Sequence, residues 1–129
     1  MNFECNEIEI SDCDFGCTIT LSDTINKEYD ENLSYEEIIN SDEKYILIQR
    51  TYPEDFDESD FYYIETTESD VELGAKDKIF IEFEKELFKI RWSVAMLEIR
   101  LNIESGKIDR LKKILKKRFK EKIIMKINE

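Results

Sequence analysis

Residues 44–67 read KYILIQRTYPEDFDESDFYYIETT. Two runs rich in strand formers, Lys44 to Tyr52 and Phe61 to Thr67, flank a stretch in which five of the seven residues from Glu54 to Asp60 are acidic. β-Branched and aromatic side chains suit the pleated surface of a sheet, and Pro53 ends the first run because it has no N–H to give a ladder. The pattern predicts an antiparallel pair of strands across an acidic loop. The Ile46-Leu47-Ile48 run predicts a central strand buried on both faces.

Working outward, period-two alternation dominates the first hundred residues. Ile8 and Ile10 alternate with Glu7 and Glu9, and Cys17, Ile19 and Leu21 alternate with Thr18, Thr20 and Ser22. Three further strands follow around Ile79–Glu84, Phe88–Trp92 and Leu97–Ile103, joined by short connections. Residues 23–42 are polar, with a short helix predicted near Leu33, Ile38 and Ile39, N-capped by Ser34 with Glu37 three residues on. From Ser105 the period changes. Ile108, Leu111, Ile114, Leu115 and Phe119 fall at helical spacing among Lys, Arg and Asp, which predicts a helix that buries this stripe on a sheet. Residues 122–127 (KIIMKI) fit either a continued helix or a last strand. The fold expected is a single α+β domain over residues 1–129, a bent antiparallel meander with the C-terminal helix packed on one face.

Composition narrows the chemistry. The chain has 129 residues, long enough to bury a core without disulfides or a structural metal. It contains no histidine, which removes imidazole bases, Ser-His-Asp and Cys-His catalysis and HExxH zinc sites. The three glycines stand far apart, so there is no phosphate-binding loop. Cys5, Cys13 and Cys17 form no zinc spacing, and an odd cysteine count argues against a disulfide framework. No apolar run spans a bilayer and no signal peptide is visible, so a cytoplasmic protein with no cofactor and no metal is expected.

Charge is unevenly spread. Residues 1–103 hold 9 Lys+Arg and 27 Asp+Glu, whereas residues 104–129 hold 10 and 4, and together these give the net charge of −12. Acidity of this kind disfavours phosphate backbones and favours basic protein partners.

In the acidic loop, Asp55, Asp57 and Asp60 have part of a calcium-loop spacing. The sixth position, Asp60, is not the glycine such a loop needs, and the twelfth, Thr66, is not its glutamate. A chain of this size scarcely walls the cleft that a glycosidase carboxylate pair requires. Two readings remain for the loop, a solvated turn and a surface that meets a basic partner. The second assigns partner contacts to Glu54, Asp55, Phe56, Asp57, Glu58, Asp60 and Tyr62, where aromatic contact area sits beside carboxylates. A small carboxylate-dependent enzyme and a nucleic-acid binder acting through the basic C-terminal helix are the alternatives.

Tyr45-Ile46-Leu47-Ile48-Gln49-Arg50, then Asp57-Glu58-Ser59-Asp60, then Tyr62-Tyr63-Ile64-Glu65 resemble, in that order, elements of the Immunity protein 10 family of bacterial polymorphic toxin systems. EKELFKIRW, MLEIRLNI and IDRLKKILKKRF continue the likeness, which covers residues 43–120. The resemblance implies a non-catalytic cytoplasmic protein that binds and neutralises a cognate toxin domain. Many such toxins attack nucleic acid, so a nuclease is one class of partner it implies. Nucleic acid and membranes are not expected partners, and the chain is expected to be a monomer or a weak homodimer.

Overall fold

The computed structural model describes residues 2–23, 44–53, 60–93 and 95–128. The helix expected near residues 33–39 therefore lies outside the described residues. Among the described residues there are ten strands: β1 (Asn2–Cys5), β2 (Glu7–Cys13), β3 (Gly16–Ser22), β4 (Tyr45–Thr51), β5 (Phe61–Thr66), β6 (Asp70–Leu73), β7 (Ile79–Glu84), β8 (Leu87–Trp92), β9 (Ala95–Leu101) and β10 (Ile123–Asn128). A helix, α1 (Ser105–Arg118), precedes the last of these strands.

The α+β class follows from these elements, but the single bent sheet is in fact two. Sheet A has the order β1-β9-β8-β7-β10 and sheet B the order β2-β3-β4-β5-β6. The chain changes sheet at Asn6, between β1 and β2. There the Asn6 N–H donates to Ser22 O at 2.8 Å, and the Asn102 side chain donates to Asn6 Oδ1 at 3.0 Å. A strand that passes from one sheet to the next makes such a corner without leaving backbone groups unpaired.

Sheet B is an antiparallel meander throughout. The expected β4–β5 pairing holds, with Ile48 opposite Ile64. β4 is central, but Ile46 and Ile48 are buried while Leu47 is only half-buried, so the strand is covered on one face rather than two. At Gly16 an added Cβ would run into the Arg50 carbonyl oxygen, so β3 and β4 approach there as only glycine permits.

Sheet A contains two parallel pairs that the alternation of the sequence did not reveal, β1 with β9 and β10 with β7. β10 resolves the two readings of residues 122–127 in favour of a strand. Because β10 runs parallel to β7, and β7 runs the same way as β9, α1 must carry the chain from β9 over β8 and β7 to the far edge. Parallel strands require a crossover of this kind. The crossover places the helix on the inner face, where Leu111, Leu115 and Phe119 are fully buried and Ile108 nearly so. The inner faces of both sheets and this stripe form one core. Cys5 and Cys17 are fully buried within it, and Cys13 is exposed.

Two outcomes follow. Leu111→Asp places an unpaired charge at a fully buried position and should lower the unfolding free energy by more than about 4 kcal/mol, or prevent folding, as read by denaturant titration. Burial pushes the thiols of Cys5 and Cys17 from 9.0 up to about 11. The unfolded chain ionises first, so the stability these thiols confer is complete below pH 9 and is lost as pH rises through 11. Denaturation midpoints measured from pH 8 to 11.5 should fall less steeply for Cys5→Ala and Cys17→Ala than for the parent, by on the order of 1 to 3 kcal/mol per thiol across that window.

Candidate functional site

Alternation in sheet B sorts its side chains onto two faces. Ile8, Ile10, Ile19, Leu21, Ile46, Ile48 and Ile64 face the core. The other face is read along two cross-strand rows. One runs Glu9, Thr20, Leu47, Glu65, Asp70 and the next Ser11, Thr18, Gln49, Tyr63, Glu72. Glu7 lies beside the first row, and Phe61 lies beyond the second. Five carboxylates therefore share this face with no Lys or Arg among the described residues of its strands that point the same way.

The centre of the face is ordered by tyrosines. Tyr45 donates its hydroxyl to Glu65 Oε2 at 2.8 Å, and Tyr63 donates to Glu65 Oε1 at 2.9 Å. The Tyr63 oxygen also lies 3.4 Å from Asp70 Oδ2. The Glu65 carboxylate thus has both oxygens engaged and its charge held in place. The same contacts hold the Tyr63 proton, pushing that phenol up to about 12. Gln49 donates to Thr18 Oγ1 at 3.1 Å in the neighbouring column. Phe61 stacks on Tyr63 with ring centroids 6.5 Å apart. At the tip of the β2–β3 hairpin Phe15 is 79% exposed, and its carbonyl accepts the Tyr52 N–H at 3.0 Å. Rigid aromatic area next to fixed negative charge is suited to Lys and Arg side chains.

Of the residues expected to contact a partner, Glu54, Asp55, Phe56, Asp57 and Glu58 lie outside the described residues. Asp60 and Tyr62 are described, and neither is a free contact group. Tyr62 is only 6% exposed, because the register that pairs it with Arg50 and Leu73 turns it to the inner face. Its ring lies 6.3 Å from that of Phe119, and the cations of Arg50 and Lys122 lie 5.9 Å and 5.4 Å from its centre. The outward places on β5 belong instead to Phe61 and Tyr63. Asp60 is bound by the Arg50 guanidinium, whose Nε donates to Asp60 Oδ2 at 2.5 Å. The other side of that guanidinium donates to Arg118 O at the end of α1, also at 2.5 Å. Arg118 in turn reaches Asp12 Oδ2 at 3.0 Å.

This rim cluster braces the fold. The hydroxyls of Tyr52 and Tyr62 are buried within it without a hydrogen-bond partner, and burial raises both phenols. Among the described residues no three thiols or carboxylates converge to hold a metal, and no helix is long and apolar enough to cross a membrane.

The carboxylates of the sheet B face escaped the sequence reading, which followed acidic density along the chain. Glu7 and Glu9 were visible as alternating positions of a strand. Their meeting with Glu65, Asp70 and Glu72 depends on the pairing of five strands. The chain matches no family model, no curated protein and no solved structure. The likeness to Immunity protein 10 therefore rests on the quoted residues alone.

Asp60 neutralises a guanidinium that also holds the helix end, so its carboxylate has a structural part. Asp60→Asn should cost about 1 to 3 kcal/mol. A double-mutant cycle with Arg50→Met should give a coupling of about 1 kcal/mol or more in urea denaturation.

Proposed function

We propose that the protein binds and neutralises a protein toxin domain with a basic cleft, acting in the cytoplasm and without catalysis of its own. The observation that carries this reading is the outer face of sheet B, where Glu7, Glu9, Glu65, Asp70 and Glu72 stand together with no Lys or Arg among the described residues of its strands that point the same way. A face of one sign steers an oppositely charged partner into encounter and sets its orientation. The tyrosine contacts to Glu65 support the reading, because charge fixed before binding needs no reordering on contact. The likeness to immunity proteins points the same way, with a toxin that acts on nucleic acid as one class of partner. The loop acids Glu54, Asp55, Asp57 and Glu58 follow Thr51, at the end of this face that carries Phe61, and extend the proposal to that end.

The alternative of a nucleic-acid binder rests on Lys107, Arg110, Lys113, Lys116 and Lys117, which are exposed along α1. The apolar stripe of that helix is already buried in the core, so the outward charges alone would have to carry such binding.

The test is association with any toxin domain found encoded beside this chain, followed by stopped-flow or surface plasmon resonance. Glu9→Gln, Asp70→Asn and Glu72→Gln together remove three exposed charges. They should slow association at low salt by about tenfold or more and flatten its dependence on ionic strength. The melting temperature should move little, since exposed charges contribute about 0 to 1 kcal/mol each. Unchanged association kinetics would remove the face from the interface. Failure of the parent protein to bind any adjacent toxin domain would overturn the reading.

A further inference from the structure

The outer face of sheet A differs from that of sheet B in both charge and polarity. Its first cross-strand row runs Ile124, Phe80, Arg91, Met96 along β10, β7, β8 and β9. Ile124 is 53% exposed, Met96 59% and Phe80 39%, which leaves large apolar side chains open to solvent on one patch. A shallow depression of about 370 Å³ lies over them. The second row runs Lys126, Glu82, Lys89, Glu98, so its charges alternate in sign strand by strand. Lys126 and Glu98 make no ion pair among the described residues, and Lys89 reaches only Glu84, at 3.5 Å.

This arrangement is complementary to itself. Consider a second copy laid face to face about a twofold axis that runs along the strands between β7 and β8. β10 of one copy then lies over β9 of the other, and β7 over β8, with each row facing the same row. Lys126 meets Glu98 of the second copy, and Glu82 meets its Lys89. Ile124 meets Met96, and Phe80 meets Arg91, a cation already 4.8 Å from a Phe80 ring within one chain. In the third row Asn128 meets Arg100, and Glu84 meets Leu87. No like charges face one another. A twofold axis across the strands through this charged row would instead set Lys126 on Lys126, Glu82 on Glu82, Lys89 on Lys89 and Glu98 on Glu98. The order of charges favours the axis along the strands over that one.

We propose that the outer face of sheet A is a self-association surface, occupied by a second copy of this chain about the axis along the strands. A C2 interface must be self-complementary, and from β9 to β10 this face meets that condition row by row, while β1, with Asn2 and Glu4 on the same face, lies beyond the overlap. With four strands about 4.8 Å apart, the patch is roughly 15 Å wide, below the size of a standard interface, so the dimer is weak and forms at high micromolar concentration or above. The acidic face of sheet B lies on the other sheet and stays open in such a dimer. The inference therefore stands independently of the proposed toxin partner.

The experiment is sedimentation equilibrium of the full chain, from about 10 µM to about 1 mM, on the parent and on Lys126→Glu and Glu98→Lys. The parent should show a monomer–dimer equilibrium. Each single variant sets like charges opposite one another twice per dimer and should weaken association by about tenfold or more. An equimolar mixture of the two variants restores Glu opposite Lys at both places, and should recover dimer as a heterodimer. Circular dichroism on each variant checks that the fold is intact, and recovery in the mixture is an effect that partial unfolding cannot produce. A parent that stays monomeric throughout overturns the proposal. So do single variants that dimerise as well as the parent, and a mixture that stays monomeric.

Discussion

Most of the tertiary structure is tied at the Arg50 guanidinium. It sits at the end of the central strand of sheet B, on the inner face, where a cation would ordinarily be costly to cover. The cost is offset by partners on every side. Asp60 neutralises it, the last carbonyl of α1 accepts from it, and the rings of Tyr52 and Tyr62 lie within 4.8 and 5.9 Å of its centre. The helix C-terminus carries partial negative charge, so a guanidinium placed there serves the helix as well as the sheet. Arg118 repeats the device by pairing with Asp12 on β2. Two arginines and two aspartates thus join the outer strand, the central hairpin and the helix end.

This joint decides what is left for function. Asp60 and Tyr62 are committed to structure, one by charge and one by burial. What β5 presents outward is Phe61, Tyr63 and Glu65, and only the alternation of the strand separates these two sets. Adjacent residues in one short segment therefore point to opposite faces. The proposed partner would meet on sheet B a face ordered by hydrogen bonds between tyrosines and Glu65. Charge is fixed there before encounter, while the joint behind it keeps the strands in register.

The two outer faces show how one fold separates two kinds of surface. Sheet B collects acids without cations, whereas sheet A alternates Lys and Glu across its strands. The described residues hold 18 Lys+Arg and 19 Asp+Glu, so the faces differ in how charge is arranged, and most of the net charge of −12 belongs to the other residues of the chain. The helix has its own basic outward side, and the tail that carries it is drawn against an acidic body by the apolar stripe of Leu111, Leu115 and Phe119.

Local periodicity determined much by itself. Alternating Ile, Leu and Phe marked most of the strands, the change of period at Ser105 marked the helix, and Pro53 with the acids marked the connection between β4 and β5. These features depend on side chains a few residues apart, which a sequence lays side by side. The short edge strands β1 and β6 gave too few alternating positions to stand out, and KIIMKI suited helix and strand alike. Only the tertiary structure decided that the meander divides into two sheets at Asn6, and that β1 and β10 pair in parallel. It also decided that Glu7 and Glu9 share a face with Glu65, Asp70 and Glu72. Strand pairing joins residues tens of positions apart, and a shift of one residue exchanges the two faces of a strand. The identity of a face is therefore a property of register, and register is fixed by packing across the whole core.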